Sequence, residues 1–272
     1  MNFTSDVIVL LTDFGIEDPY VGMMKGVILS ICPKVKVIDL THSVRSFDIE
    51  HGAFVLYVSY KYFPRGAIFV CVVDPGVGSS RRPIAILTNN YIFIGPDNGL
   101  MTMAAEDDGI KKVFLIENQK LFRVPVSRSF HGRDIFAPIA AHIACGIPIE
   151  LIGREIDQNT LVRLERGRYI RKIKENCIEL KILTIDKFGN IVLSSSVKDI
   201  LDMLEVGLNY TVTIYSKCRS HNAVIGEVFS VYPEGTLVLY ENSFWLAELA
   251  VNKGSAKHLL CAEPGDTVLI CR

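Results

Sequence analysis

The 272-residue chain contains no Cys-x-x-Cys pair, no internal repeat and no low-complexity tract. No apolar run approaches the roughly 18 residues that a membrane-spanning helix needs. Its seven cysteines, Cys32, Cys71, Cys145, Cys177, Cys218, Cys261 and Cys271, are scattered and odd in number. That pattern speaks against a zinc site or a disulfide framework and for a reducing compartment. A charge excess is missing too: the formal net charge is -1, whereas a general nucleic-acid surface needs a basic surplus or stripe. The densest basic stretch, Arg163 to Lys174, is interrupted by Glu165 and flanked by Glu175, and reads as a solvated linker or strand edge. The N-terminal Met-Asn-Phe-Thr-Ser-Asp places no basic residues ahead of an apolar stretch. The expectation is a cytoplasmic protein with no nucleic acid and no membrane among its partners.

What is present is a core. With 49% hydrophobic and 22% charged residues, the chain has the balance of a folded protein long enough for two domains. Val7 to Leu11 is a continuous apolar run ending at Thr12-Asp13-Phe14-Gly15, as a central parallel strand would. Helical spacing follows over Pro19 to Cys32, then a strand over Val35 to Leu40 and a helix over Ile49 to Tyr62. Ala67 to Val73 is β-rich and halts at Asp74-Pro75-Gly76. Ile84 to Leu87 and Tyr91 to Ile94 suggest a hairpin, and Asp134 to Cys145 a helix closed by Gly146. Beyond about residue 170 the pattern changes to short alternating strands: Ile178 to Ile182, Tyr210 to Tyr215, Glu227 to Tyr232, Thr236 to Tyr240 and Thr267 to Cys271. Only Val197 to Leu204 looks helical there. The predicted fold is an α/β domain with a mainly parallel sheet over residues 1–165, followed by a small antiparallel β-barrel over residues 170–272.

Ligands of open α/β sheets collect beyond the carboxyl ends of strands. Asp13 and Asp74 stand at two such ends. Asp13 suits either a loop or helix cap, or a carboxylate that accepts from two ribose hydroxyls. Asp74-Pro75-Gly76-Val77-Gly78-Ser79-Ser80-Arg81-Arg82 joins an acid, flexible glycines and two guanidinium groups. It lacks the Lys-Ser/Thr ending and following helix of a phosphate-binding loop, and a tight turn with a surface ion pair is the bland reading. In Phe130-His131-Gly132-Arg133-Asp134, His131 is the histidine best placed in a cleft, with Asp134 a candidate helix cap and His42 second in order. Asp186-Lys187-Phe188-Gly189-Asn190 reads either as a hairpin turn or as a recognition loop, with Phe188 stacking on a flat ring and Asn190 reading its edge.

These segments, with Tyr20 to Gly26, Gly95-Pro96-Asp97-Asn98-Gly99 and Asn252 to Ala256, resemble in order the S-adenosylmethionine hydroxide adenosyltransferase family, related to fluorinases and chlorinases. The resemblance implies a homotrimer with sites between neighbouring subunits and no cofactor beyond the substrate. It implies that Asp74, Arg81 and His131 orient a water molecule and that Asp13 holds the ribose hydroxyls. Phe188 and Phe229 would sandwich the adenine, with Asn190 at its edge. Asp18, Asp186 and Ser243 would meet the methionine end, and Phe47 matches an aromatic position that lines the pocket of the halogenases. One departure stands out: the halogenases carry an Arg after Asn-Ser, where this chain has Phe244.

The implied reaction gives adenosine and L-methionine by attack of water at the ribose C5′. Either Asp74 or His131 would take the proton. Three alternatives stand beside it. A halogenase would need a dry pocket of neutral donors, which a carboxylate facing the halide disfavours. A sensor would bind S-adenosylmethionine or adenosine without turnover. A metal-dependent hydrolase would use Asp13, Asp18 and His131, although the two-His spacing of such sites is missing.

Overall fold

The computed structural model describes residues 6–164 and 169–272. The chain divides into two compact units, Met1–Glu165 and Arg166–Arg272. In the first, the elements run β1 (Val7–Thr12), α1 (Tyr20–Ile31), β2 (Lys36–Thr41), α2 (Ile49–Ser59), β3 (Ile68–Val72), β4 (Pro83–Thr88) and β5 (Ile92–Pro96). There follow α3 (Thr102–Asp108), β6 (Ile110–Leu115), α4 (Ala137–Ala144) and β7 (Glu155–Ile156). The seven strands form one sheet in the order β2-β1-β3-β5-β4-β6-β7. Its first four strands are parallel neighbours, and β4, β6 and β7 continue it antiparallel.

The run Val7 to Leu11 is apolar without alternation because both of its faces are covered. Ile8 and Leu10 pack with Met24 and Ile28 of α1 and Ile139 of α4. Val9 and Leu11 pack on the other face with Leu56 of α2 and Ala104 of α3. Helices on both sides are what a parallel sheet requires, since its crossovers lie on its faces. The α4 segment differs in one respect from the sequence reading. A π-turn over Gly132–Phe136 precedes the α-helix, and no side chain caps its start. Asp134 is therefore not a helix cap. Pro138 still sits in the first α-helical turn, where its missing N–H costs no bond.

The second unit runs β8 (Ile170–Lys174), β9 (Cys177–Ile185), β10 (Ile191–Leu193), α5 (Val197–Leu204), β11 (Thr211–Tyr215), β12 (Ser220–Ile225), β13 (Leu237–Glu241), β14 (Ala247–Val251), α6 (Ala256–Leu260) and β15 (Thr267–Cys271). Pairing of β9 with β10 closes the sheet into a barrel and leaves β8 as an added edge strand. Closure removes the free edges that an open sheet of short strands would expose. Along β9 the alternation places Ile178, Leu180 and Ile182 inside. A Ser196–Asp199 capping box starts α5.

Two expectations are corrected in this unit. Glu227 to Tyr232 is not a strand: it holds a 3-10 turn, Phe229–Val231, and the strand of that region is β12. Its neighbour β13 runs parallel to β12, so the barrel is not wholly antiparallel. The strand-edge reading of the basic stretch holds over Ile170–Lys174, which form the exposed edge strand β8, while Glu165 lies outside the described residues.

The cysteine reading is also corrected. Cys32 is disulfide-bonded to Cys145 and Cys177 to Cys271. The first pair joins the C-terminal ends of α1 and α4, which lie side by side; the second joins residues directly opposite in β9 and β15. Sequence separations of 113 and 94 leave no local spacing from which either pair could be read. Cys71 is buried with a free thiol, and Cys218 and Cys261 are free and exposed.

Candidate active site

The carboxyl ends of β2, β1 and β3 form one edge of the first unit's sheet. Thr12 pairs with Val72, so Asp13 and Asp74 emerge from adjacent parallel strands. After Asp74 the chain folds back on itself. Val77 N–H donates to the Asp74 carbonyl and Ser79 N–H to the Gly76 carbonyl, while Arg81 N–H reaches Ser79 Oγ at 3.2 Å. Gly78 has φ +77°, and a Cβ there would lie 2.4 Å from the Arg128 carbonyl oxygen. Three backbone donors of this loop are thus spent within it, and a strand, not a helix, follows. It is no phosphate cradle.

What the loop achieves is the placement of Arg81. Its Nε donates to both Asp74 oxygens at 3.0 Å and its Nη2 to Oδ2 at 2.5 Å. The same Nη2 lies 2.7 Å from His131 Nδ1. The side chains of Arg81 and Asp74 are only 10% and 5% exposed, and the guanidinium lies 5.3 Å from the Phe136 ring centroid. The ion pair is therefore shielded from solvent and held by a planar fork, the arrangement for which arginine is suited. Phe136 was not singled out by its sequence context, which is that of an ordinary core aromatic.

Arginine has donors only, so His131 Nδ1 must be the acceptor in this contact. The neutral ring then carries its proton on Nε2. Burial, and next the positive charge of Arg81, hold the His131 pKa below the usual histidine range, outweighing Asp74 and Asp134. The second guanidinium of the loop points elsewhere: Arg82 pairs with the buried Asp97 and also reaches Thr160, where it ties loops together.

His131 is seated by its neighbours. Phe14, Tyr20 and Phe130 meet edge to face at centroid distances of 5.3 to 6.0 Å. A Cβ on Gly132 would come within 3.3 Å of Met24 Sδ and 3.4 Å of Phe130, so the close approach favours glycine. Asp134 is fully buried. Burial raises its pKa, but hydrogen bonds from Arg133 and the Ser127 N–H, with the charges of Arg133 and Arg123, more than offset that and keep it low.

Asp13 is half-buried, and its Oδ2 accepts the Phe47 N–H at 2.8 Å. Phe47 is 71% exposed at φ +65°. Asp18 is exposed just ahead of α1, with no contact to the Asp74 set described. Among the described residues, no group of three His, Cys, Asp or Glu side chains converges as a metal site would.

The remaining candidates lie on turns of the barrel unit. Asp186 Oδ1 accepts the N–H groups of Phe188 and Asn190, and its Oδ2 accepts Asn190 Nδ2 at 3.0 Å. The loop is a tight turn between β9 and β10, and it projects Phe188, 65% exposed, into solvent. Gly189 has φ +85°, and a Cβ there would lie 2.1 Å from Ser255 Oγ, which explains the small residues of the 254–256 segment. Phe229 meets Tyr240 at 5.6 Å. Burial, the bond to Glu248 and the nearby charge of Asp186 all raise the Tyr240 pKa. Asn242 Nδ2 holds the other Glu248 oxygen at 2.9 Å, and its Oδ1 accepts from Phe244 and Leu246, fixing the turn that exposes Ser243. Asp186, Phe229 and the Ser243 turn are thus linked through Tyr240 and Glu248. Neither Tyr240 nor Glu248 was singled out from sequence.

A mainly parallel sheet carrying a shielded carboxylate–guanidinium pair in contact with an imidazole at its strand ends, followed by a closed barrel with exposed aromatic turns, defines a small-molecule enzyme of α/β-plus-barrel type. The family model described as SAM hydroxide adenosyltransferase N-terminal domain matches residues 8–153, and the corresponding C-terminal domain matches residues 180–269. The chain belongs to the SAM hydroxide adenosyltransferase family. It is 37% identical over 265 residues to the (R)-S-adenosyl-L-methionine hydrolase of Thermus thermophilus, covering 95% of this chain and 96% of the relative. A fluorinase of Actinoplanes is 28% identical over 185 residues, covering 60% of this chain and 62% of the fluorinase. An uncharacterized conserved protein from Thermotoga maritima superposes with a TM-score of 0.89 at 35% identity, covering 97% of this chain and 100% of that one.

Proposed function

We propose that the chain hydrolyses S-adenosyl-L-methionine to adenosine and L-methionine, with Asp74 as proton acceptor for a water that attacks C5′. The observation that carries this reading is the contact of Arg81 Nη2 with His131 Nδ1. It puts the imidazole proton on Nε2, so His131 is a donor toward the water and has no free lone pair with which to act as base. Asp74 keeps lone pairs beyond those Arg81 occupies. The sulfonium makes methionine a neutral leaving group, so no acid is needed to expel it. What the site must supply is an in-line oxygen about 3 Å from C5′ and an acceptor for its proton. As the C5′–S bond breaks, its electron pair stays on sulfur, the water oxygen bonds to C5′, and its proton passes to Asp74.

In this reading Asp13 accepts from the ribose hydroxyls and Phe47 lines the pocket. Phe188 and Phe229 hold the adenine with Asn190 at its edge, and Asp18, Asp186 and Ser243 meet the methionine end. Relatives carry the (R) designation at sulfur in their names, and preference for that epimer is part of the proposal. So are a homotrimer with sites at subunit interfaces, a cytoplasmic location and the lack of any cofactor besides the substrate. Sedimentation at the mass of one 30.3 kDa chain would remove the trimer from it.

The test is incubation with each sulfonium epimer, with and without chloride or fluoride, followed by product identification. Adenosine and methionine independent of halide are expected, faster from the (R) epimer. Asp74→Asn should lower kcat by roughly 10²–10⁴-fold while ligand still binds. Halide-dependent 5′-halo-5′-deoxyadenosine without adenosine would replace this reading with a halogenase, and tight binding without turnover with a sensor.

A further inference from the structure

Of the six histidines, only His42 is buried, and the chemistry above does not use it. It stands one residue past β2, beside the β1 end that carries Asp13, where Leu11 pairs with Thr41. His42 Nδ1 lies 2.8 Å from Thr12 Oγ1, which accepts the Phe14 N–H at 3.2 Å. The Thr12 hydroxyl can donate to Nδ1 in the tautomer that places the ring proton on Nε2, toward Asp39. That atom lies 3.0 Å from Asp39 Oδ1, off the line of a good hydrogen bond, and Asp39 Oδ2 receives Lys25 Nζ at 2.6 Å. The imidazole is therefore seated between a carboxylate and a hydroxyl, with no well-formed hydrogen bond at Nε2.

A buried polar ring with one imperfectly matched nitrogen is a poor filler for a core position. Its contact with Thr12 Oγ1 bears on the turn around Asp13, whose backbone is also tied to the β2 end from two sides. The His42 carbonyl accepts the Gly15 N–H at 2.8 Å, and the Thr12 carbonyl accepts the Val44 N–H at 3.4 Å. The two strand-end loops are interlocked again where Asp13 Oδ2 accepts the N–H of Phe47, whose left-handed backbone needs such a hold.

We propose that His42 is a positioning residue for the ribose end of the substrate. Through Thr12 it fixes the turn that follows β1, so that Asp13 keeps one oxygen on the Phe47 N–H and presents the other to the ribose hydroxyls. This inference rests on the assignment of Asp13 to the ribose. It predicts that loss of His42 damages recognition of the hydroxyls far more than it damages attack at C5′.

The test is steady-state kinetics of the full chain with S-adenosylmethionine and with its 2′-deoxyribose analogue. In His42→Ala, kcat/KM for S-adenosylmethionine should fall about tenfold to a hundredfold, with KM rising more than kcat falls. The preference for substrate over analogue should shrink toward unity. Thr12→Val has the same shape without the hydroxyl, so it should give the same loss with His42 in place, and it serves if His42→Ala does not fold. His42→Asn, whose amide oxygen stands where Nδ1 stood, should recover most of the preference. Asp13→Ala separates the two failures. If it leaves the preference intact, the ribose assignment of Asp13 is wrong. If it abolishes the preference while both His42→Ala and Thr12→Val keep it, or lose substrate and analogue activity equally, His42 is not a positioning residue.

Discussion

The two units present their candidate residues in opposite ways. In the sheet unit, Asp74 and Arg81 are nearly inaccessible and locked to each other and to His131. In the barrel unit, Phe188, Ser243 and Phe244 stand on turns and face solvent; Asp186 fixes the first turn, and Asn242, held by the buried Glu248 beside a half-buried Tyr240, fixes the second. The difference matches what the proposed roles would require of each set. Charges that act on a developing transition state are worth most when preorganised and shielded from water. Aromatic faces that grip a flat ring must be open until it arrives, and their rigidity comes from the turn under them. The contrast can be attacked from either side.

The largest effect should come from Arg81→Ala. Removing one partner of a shielded ion pair leaves an uncompensated carboxylate, costing about 3–5 kcal/mol of stability by chemical denaturation. Adenosine formation should fall below detection. Arg81→Lys keeps the charge but not the fork, and should recover folding more than activity. If Arg81→Lys were fully active, the planar contact with His131 would not matter.

The pH dependence comes next. Protonation of His131 would set a second cation 2.7 Å from the Arg81 guanidinium. Its pKa lies below the usual 6.5 because of burial and Arg81. Activity should hold through neutral pH and fall only on acidification below that value. Stability has the same sign: the unfolded chain binds the proton first, so this contribution is complete above pH 6.5 and is lost as pH falls toward the folded value. His51 adds to it, since burial and Arg45 lower its pKa from 6.5 to about 4. A thermal midpoint that rises between pH 6.5 and pH 4 would contradict both.

Phe188→Ala probes the other region. Losing an exposed stacking face should cost roughly 1–3 kcal/mol of binding, read as a higher KM with kcat changed much less. A kcat loss equal to the KM effect would erase the distinction between the two regions. The smallest change should come from Trp245→Gly. Trp245 is exposed at φ +62°, a conformation that glycine adopts without strain. The midpoint should rise by a few degrees, about 1 kcal/mol, with the Asn242 turn preserved.

Much of the first unit was legible because its signals are local. The unalternating run at Val7 to Leu11 marked an interior parallel strand, one in from the edge, and the turn residues after it marked the strand ends where Asp13 and Asp74 stand. The residues of the Asp74 loop alone do not orient it, and only the family resemblance picked Arg81: Arg82 is drawn away by Asp97, fifteen residues past it. Asp134 looked like a cap because a π-turn and an α-helix start share the same residue types. In the barrel, Glu227 to Tyr232 has strand composition yet turns, because the 3-10 segment packs Phe229 on Tyr240. The disulfides were missed for the same reason: both join residues about a hundred positions apart, and only the tertiary fold makes them neighbours.

The account turns on water reaching C5′ under the Asp74–Arg81–His131 set. Turnover of S-adenosylmethionine in H₂¹⁸O, read by mass spectrometry, tests that directly. The prediction is adenosine carrying one ¹⁸O at its 5′-hydroxyl and methionine carrying none. Unlabelled adenosine, label in the amino-acid product, or a 5′-halogenated nucleoside would contradict it.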